Sequence, residues 1–275
     1  MKKIILFFVL IVLSNCTVIA QNVVYEGIIK DKNTKENLAY VNIGIVNKNT
    51  GTVSDVKGKF QLQLDNKLDA ETMKLSMIGY KSLSFKVIDF KKAVIENPII
   101  YLEKNVSELK EIVIKNKNLQ TGILGNVLDK KTVSAGFVNN VLGNEIGIIV
   151  KLKSKPTFIE AFRAIVDYNK YKELKFRLNF YDLKKGLPNN TILQDNIIVT
   201  STIKKGELII DLNDYNIMVN EDFFVSIELI EGLGEGGLHF LADYSGSPII
   251  TRATSQGKWN KVDELSFGFT LIAKY

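Results

Sequence analysis

From Leu174 to Tyr181, apolar and polar side chains alternate without a break. Leu174, Phe176, Leu178 and Phe180 fall on one side of an extended chain, and Lys175, Arg177, Asn179 and Tyr181 fall on the other. Successive side chains of a strand point to opposite faces, so the run predicts a strand with one face in a core. The same period returns repeatedly downstream. Phe162, Ala164 and Val166 alternate with Arg163, Ile165 and Asp167, and Phe223, Val225, Ile227 and Leu229 form another apolar face. Ile146–Leu152, Leu238–Ala242, Pro248–Arg252 and Leu265–Ile272 add further strands. Ile197–Ile203 and Leu208–Leu212 read as a hairpin with Lys204-Lys205-Gly206 at its tip. Eight or nine strands without a long helical period predict a β-sandwich of jelly-roll type over residues 145–275.

The N-terminal part shows shorter runs. Val23–Lys30 and Tyr40–Val46 are strand candidates, separated by the polar turn Asp31–Thr34. Phe60, Leu62 and Leu64 share one face, Met73, Leu75 and Met77 another, and Leu83, Phe85 and Val87 a third; Ile99–Leu102 closes the set. Gly51 and Gly58 suit turns where a Cβ would crowd the chain, and Asp55 can accept hydrogen bonds from turn amides. These elements predict an all-β chain whose first sandwich spans residues 21–104.

Five strings in this region occur in a telling order: Gly27–Asp31, Leu38–Ile43, Gly51–Asp55, Gly58–Phe60 and Ile78–Tyr80. Together they resemble the carboxypeptidase regulatory-like domain common in exported proteins of the Bacteroidetes. The resemblance implies a prealbumin-like, seven-stranded sandwich without catalytic function of its own. The same domain fronts many TonB-dependent receptors, and Leu109–Ile114 resembles the segment that follows it there. The remaining length cannot supply a plug and a large membrane barrel, so a receptor function is not carried over. The second half resembles a region found beside this domain in small exported proteins, through Phe176–Tyr181 and Ser255–Trp259. That resemblance implies no site.

Residues 1–20 read as a signal peptide. Lys2 and Lys3 precede the apolar run Ile4–Leu13, and Val18-Ile19-Ala20 offers a cleavage site before Gln21. The single cysteine, Cys16, lies inside this segment, which leaves the mature chain without a disulfide. Leu13–Cys16 also resembles a lipobox, with Asn15 where a small residue is usual; lipidation at Cys16 is the less favoured alternative. Export to the periplasm, the outer-membrane surface or the medium is expected, with no transmembrane segment after signal removal. Residues 105–144 read as a linker with short ordered elements, among them turns or a short helix near Leu124–Leu128.

The chain carries a formal charge of +6, spread along its length, which does not call for nucleic acid. His239 is the sole histidine, too few for a histidine-rich metal site, and no nucleophile elbow accompanies it. No carboxylate cluster surrounds Asp55, and no nucleotide loop is present. No catalytic residue, cofactor or metal is therefore assigned. The favoured reading is a non-catalytic binding or structural protein of the envelope, its partner a glycan or another envelope protein, its oligomeric state open. The candidate ligand surface is Arg177, Asn179, Tyr181, Tyr244 and Trp259, with Asn213 and Tyr215 as further contributors. Two aromatics beside polar groups would point to a glycan, and a broad apolar patch to a protein partner. The alternative is a glycoside hydrolase with paired carboxylates drawn from Glu228, Glu231, Asp243 and Asp263.

Overall fold

The computed structural model describes residues 23–105, 119–128, 133–137 and 140–275. The proposed signal peptide, Cys16 and Leu109–Ile114 lie outside the described residues.

The first sandwich has seven strands: β1 (Val23–Asp31), β2 (Asn42–Ile45), β3 (Gly51–Val53), β4 (Lys59–Leu64), β5 (Thr72–Ser76), β6 (Leu83–Lys86) and β7 (Ile99–Leu102). One sheet has the order β4-β1-β7 and the other β3-β2-β5-β6. All pairs are antiparallel except β1 with β7, which run parallel. The alternation in Lys59–Leu64 places Phe60, Leu62 and Leu64 in the core, as expected. The period-two reading through Val87 stops one residue early. Val87–Glu96 is a helix, α1, which buries Val87, Phe90, Lys91 and Val94. Their spacing of three and four residues is that of a helical face. Lys91 is buried because its Nζ donates to Asp69 Oδ1 at 2.6 Å and Asn66 Oδ1 at 2.8 Å, which ties α1 to the short turn before β5.

Ser54 sits at the centre of this sandwich, fully buried. Its Oγ accepts from the Val41 amide at 2.8 Å and donates to the Leu38 carbonyl at 3.0 Å. Ser54→Ala removes both partners at once. It is expected to lower stability by about 2–3 kcal/mol, read from denaturant unfolding, because both backbone groups are left in a dry interior.

The second sandwich begins earlier than residue 145. The stretch read as a linker contributes β8 (Thr121–Gly125) and β9 (Val133–Phe137), so strands rather than turns or a helix occupy Leu124. The set continues with β10 (Glu145–Val150), β11 (Thr157–Asn169), β12 (Leu174–Lys184), β13 (Leu187–Thr191), β14 (Ile197–Ser201), β15 (Gly206–Asp211) and β16 (Met218–Val219). It ends with β17 (Phe223–Leu229), β18 (Leu238–Asp243), β19 (Ile249–Arg252), β20 (Asn260–Val262), β21 (Ser266–Phe267) and β22 (Thr270–Lys274). One sheet runs β13-β12-β17-β10-β19-β20, with β14 also pairing β12. The facing sheet runs β21-β18-β11-β22-β8, with β15 and β16 on β11 and β9 on β18. The two inner faces form one core that includes Phe162, Phe176, Phe180, Phe223 and Phe240. This is the predicted all-β architecture, a prealbumin-like sandwich followed by a larger jelly-roll-like one.

The hairpin expected from Ile197–Ile203 and Leu208–Leu212 does not form. β14 pairs β12 and β15 pairs β11, so the chain crosses from one sheet to the other at Lys204–Lys205. Asn169 holds the crossover: its amide donates to the Lys204 carbonyl and its Nδ2 to the Ile203 carbonyl, both at 2.8 Å, while its Oδ1 accepts from the Tyr171 amide at 2.9 Å.

Candidate binding cleft between the two sandwiches

The outer face of the β12-β17-β10-β19 sheet is not solvated. The strand registers set Arg177 opposite Glu228, Glu228 opposite Glu145, and Glu145 opposite Arg252. Four strands thus carry a row of charges in the order plus, minus, minus, plus, and every member is at most 7% exposed. Like charges directly opposite repel. Asn179 relieves this, because its Nδ2 donates to Glu145 Oε1 at 3.0 Å and to Glu228 Oε2 at 2.8 Å. Ser226 Oγ also donates to Glu145, and Arg252 Nη2 meets Glu145 Oε2 at 2.6 Å. Arg177 donates to the Tyr40 carbonyl of the first sandwich, and its Nε lies 3.6 Å from Glu228 Oε2.

Burial raises the Glu145 carboxyl above the usual range, Arg252 opposes the shift, and Glu228 adds to it. Tyr181 is pushed well above a normal phenol, first by burial and then by Glu145. Arg252 is held more firmly protonated by Glu145, Tyr181 and Glu228 against the cost of its burial.

The first sandwich covers this row through the loop after β19. Ser255 Oγ donates to Asn42 Oδ1 at 3.0 Å, Gln256 Nε2 to Ser76 Oγ at 2.8 Å, and the Asn47 amide to the Gln256 carbonyl at 2.9 Å. Glycines make the approach close enough. A Cβ on Gly44 would stand 2.1 Å from the Ser255 carbonyl oxygen, and one on Gly51 2.4 Å from it. Gly51 therefore serves a strand and an interface rather than a turn, whereas Gly58 has the φ of +72° that its turn requires. Asp55 accepts from the Lys57 and Lys59 amides, both at 2.8 Å, as the turn reading expected.

Beside this contact the sandwiches enclose a cleft of about 850 Å³. Arg177, Asn179, Tyr181 and Arg252 line it from the second sandwich; Lys74, Ser76, Tyr80 and Lys81 line it from the first. The Tyr80 hydroxyl donates to Asp31 Oδ2 at 2.9 Å, and burial together with that carboxylate pushes the phenol up to about 12. Asp31 itself is held low, chiefly by the Thr34 amide.

Of the candidate ligand surface, Arg177, Asn179 and Tyr181 come together in the cleft, more deeply buried than a solvent-facing strand would place them. Trp259 packs behind them, 4.7 Å from the Arg252 guanidinium and edge-on to Tyr181 and Phe224. Tyr244 is 71% exposed and does not line the cleft. Asn213 bonds Asp211, and Tyr215 lies beside it on a short turn. None of the four acids proposed for hydrolysis lines the cleft. Glu228 is in the buried row, Glu231 pairs with Lys175 at 2.7 Å, Asp263 pairs with Lys261 at 2.5 Å, and Asp243 is buried at the end of β18. Glu145 was missed, since a polar residue heading an apolar run gives no sign that its outward face is covered. His239 stacks on Tyr168 at 4.4 Å and meets Ser134 Oγ at 3.2 Å through Nδ1. Burial lowers its pKa, against the pull of Asp167. Among the described residues no group of three or more His, Cys, Asp or Glu side chains could hold a metal, and no helix is long and apolar enough to cross a membrane.

No curated protein sequence matches the chain. Among solved structures, the cysteine protease and lectin-like domains of Cwp84, a surface layer associated protein of Clostridium difficile, are similar with a TM-score of 0.35 and 10% identity, over 54% of this chain and 36% of that one. The VP2 subviral particle of infectious bursal disease virus is similar with a TM-score of 0.25 and 10% identity, over 91% of this chain and 63% of that one. This chain thus spans less than two thirds of either. Residues 25–114 match the CarboxypepD_reg-like domain family. The strings in Gly27–Tyr80, the seven strands and this match agree: the chain carries an N-terminal CarboxypepD_reg-like domain.

Proposed function

We propose that the protein is an exported, non-catalytic binding module of the bacterial envelope, and that the cleft between its two sandwiches takes a glycan. The observation that carries this reading is the cleft itself. Its volume falls within the range of small-molecule sites, and both sandwiches contribute side chains to it. Tyr80 and Tyr181 line it beside amides and hydroxyls, which is the pairing of flat and polar groups that sugars use. Export rests on the signal-like residues 1–20, and the Bacteroidetes setting on the strings in the first domain.

Binding is favoured over hydrolysis by the position of the carboxylates. A glycosidase needs two carboxyl groups flanking the bond it cuts. Glu145 and Glu228 are side by side but fully buried, each engaged by Asn179 and close to an arginine, and neither lines the cleft.

A glycan array probed with residues 21–275 tests the proposal. Saturable binding to a glycan class is expected, and Gln194→Trp, an exposed change on the cleft wall, is expected to abolish it. Silence across the array, or binding indifferent to Gln194→Trp, would sink the cleft reading. Release of reducing ends from a bound glycan would replace it with catalysis.

A further inference from the structure

We infer that the ligand of the cleft is a short oligosaccharide bearing at least one carboxylate. The inference rests on the cleft being a glycan site and adds its charge class. Four cations line the cleft, Lys74, Lys81, Arg177 and Arg252, against a single acid, Asp195. Lys81 is committed to Glu103 at 2.6 Å, whereas Lys74 has no ion-pair partner among the described residues. The two arginines form the inner wall. Their glutamate partners, Glu145 and Glu228, do not line the cleft, whereas the two arginines, though largely buried, do.

These arginines are not fully used. The Nε of Arg177 and the Nε of Arg252 are both buried and lack a hydrogen-bond acceptor. The Arg177 Nε lies 3.6 Å from Glu228 Oε2, so what the arginine pair offers a ligand carboxylate in the cleft is its charge. A guanidinium presents its donors in a planar fork that matches a carboxylate, which makes arginine better suited than lysine to this task.

The rest of the lining selects a sugar over a peptide. Amide side chains recur in the lining, and Gln194 offers a donor and an acceptor as every sugar hydroxyl does, while Asn42, Asn190 and Gln256 each keep part of that capacity beside a partner within the protein. The aliphatic side chains of the lining are Met77, Ile78 and Leu193. Ser76, Ser82 and Thr191 extend the hydroxyl-matching surface.

The test is titration calorimetry of residues 21–275 with three acidic probes, trigalacturonic acid, sialyllactose and a chondroitin disaccharide, against maltotriose and lactose. At least one acidic probe is expected to bind about tenfold or more tightly than both neutral ones, a difference of about 1.4 kcal/mol. Lys74→Gln, a change on a half-buried side chain facing the cleft, is expected to weaken the acidic probe severalfold, and raised salt to do the same. Gln194→Trp is expected to abolish binding. Equal binding of neutral and acidic probes, or affinity unmoved by salt and by Lys74→Gln, would overturn the charge class while leaving the cleft as a glycan site. Acidic binding that survives Gln194→Trp would overturn the location. If no acidic probe binds, the inference fails, and the array with Gln194→Trp then decides separately whether the cleft binds any glycan.

Discussion

Arg252→Ala is expected to lower folding stability by about 3–5 kcal/mol, the range found when one member of a buried ion pair is removed. The reason is what the substitution leaves behind. Glu145 is fully buried, with Glu228 directly opposite it and Arg252 2.6 Å away as its closest cation. Without the guanidinium, Glu145 keeps Asn179 and Ser226 as donors, beside a Glu228 that shares Asn179 and has Arg177 3.6 Å away. Arg252→Met keeps much of the packing against Trp259 but restores no charge, so it is expected to recover only a small part of the loss. The effect has a pH signature. Burial already raises the Glu145 carboxyl in the folded protein. A group whose folded pKa lies above its unfolded value binds an extra proton on folding, so its contribution to stability falls as pH rises from the unfolded to the folded value. Removing Arg252 extends that window upward. The variant is therefore expected to lose most stability at neutral pH and to regain part of it toward pH 4, measured by urea unfolding at both. A loss of under 1 kcal/mol, unchanged between the two pH values, would mean that the row is not held together as described.

Gly44→Val is expected to separate the two sandwiches while each remains folded. A Cβ at this position would lie 2.1 Å from the Ser255 carbonyl oxygen and 2.9 Å from its carbon. Neither side can yield easily. Gly44 lies in β2 between β3 and β5, and Ser255 is fully buried with its Oγ on Asn42. Overpacking of this kind costs about 1–3 kcal/mol where neighbours can shift, and more where backbone meets backbone. Each sandwich has its own apolar core, so undocking is the cheaper response than unfolding. Calorimetry is expected to resolve two transitions in the variant where the parent shows one, and small-angle scattering to give a larger radius of gyration. Undocking also strips Tyr40 from Arg177 and opens the cleft, so glycan binding is expected to disappear with it. A single transition and unchanged scattering would contradict the close approach at Gly44.

How far the fold was legible depends on the range of the interaction that decided each element. The inner face of β12, Leu174, Phe176, Leu178 and Phe180, was plain from its period, because burial on one side leaves alternation in the sequence. Helix α1 was legible in principle through Val87, Phe90 and Val94, but a single short helix after a period-two run offers few repeats to separate the two periods. The crossover between β14 and β15 was not legible. A polar tip between two apolar runs is the same string whether the strands pair with each other or with different sheets.

The site divides along the same line. Sequence alone determined that the chain is all-β, that its N-terminal part is a prealbumin-like sandwich, and that Arg177, Asn179 and Tyr181 share one face of a strand. The first and third follow from the two-residue period of the extended chain, and the second from the family resemblance that the strings between Gly27 and Tyr80 carry. Only the tertiary structure decided that this face is covered. β17 is buried on both sides, and nothing local distinguishes Phe224, Ser226 and Glu228 from a solvent-facing row. Their burial, the pairing of Glu145 with Arg252 and the cleft beside them depend on Gly44 and Gly51 meeting Ser255, residues about 200 apart in sequence. A strand's period records which residues share a face, but what packs against that face is set by the docking of a second core.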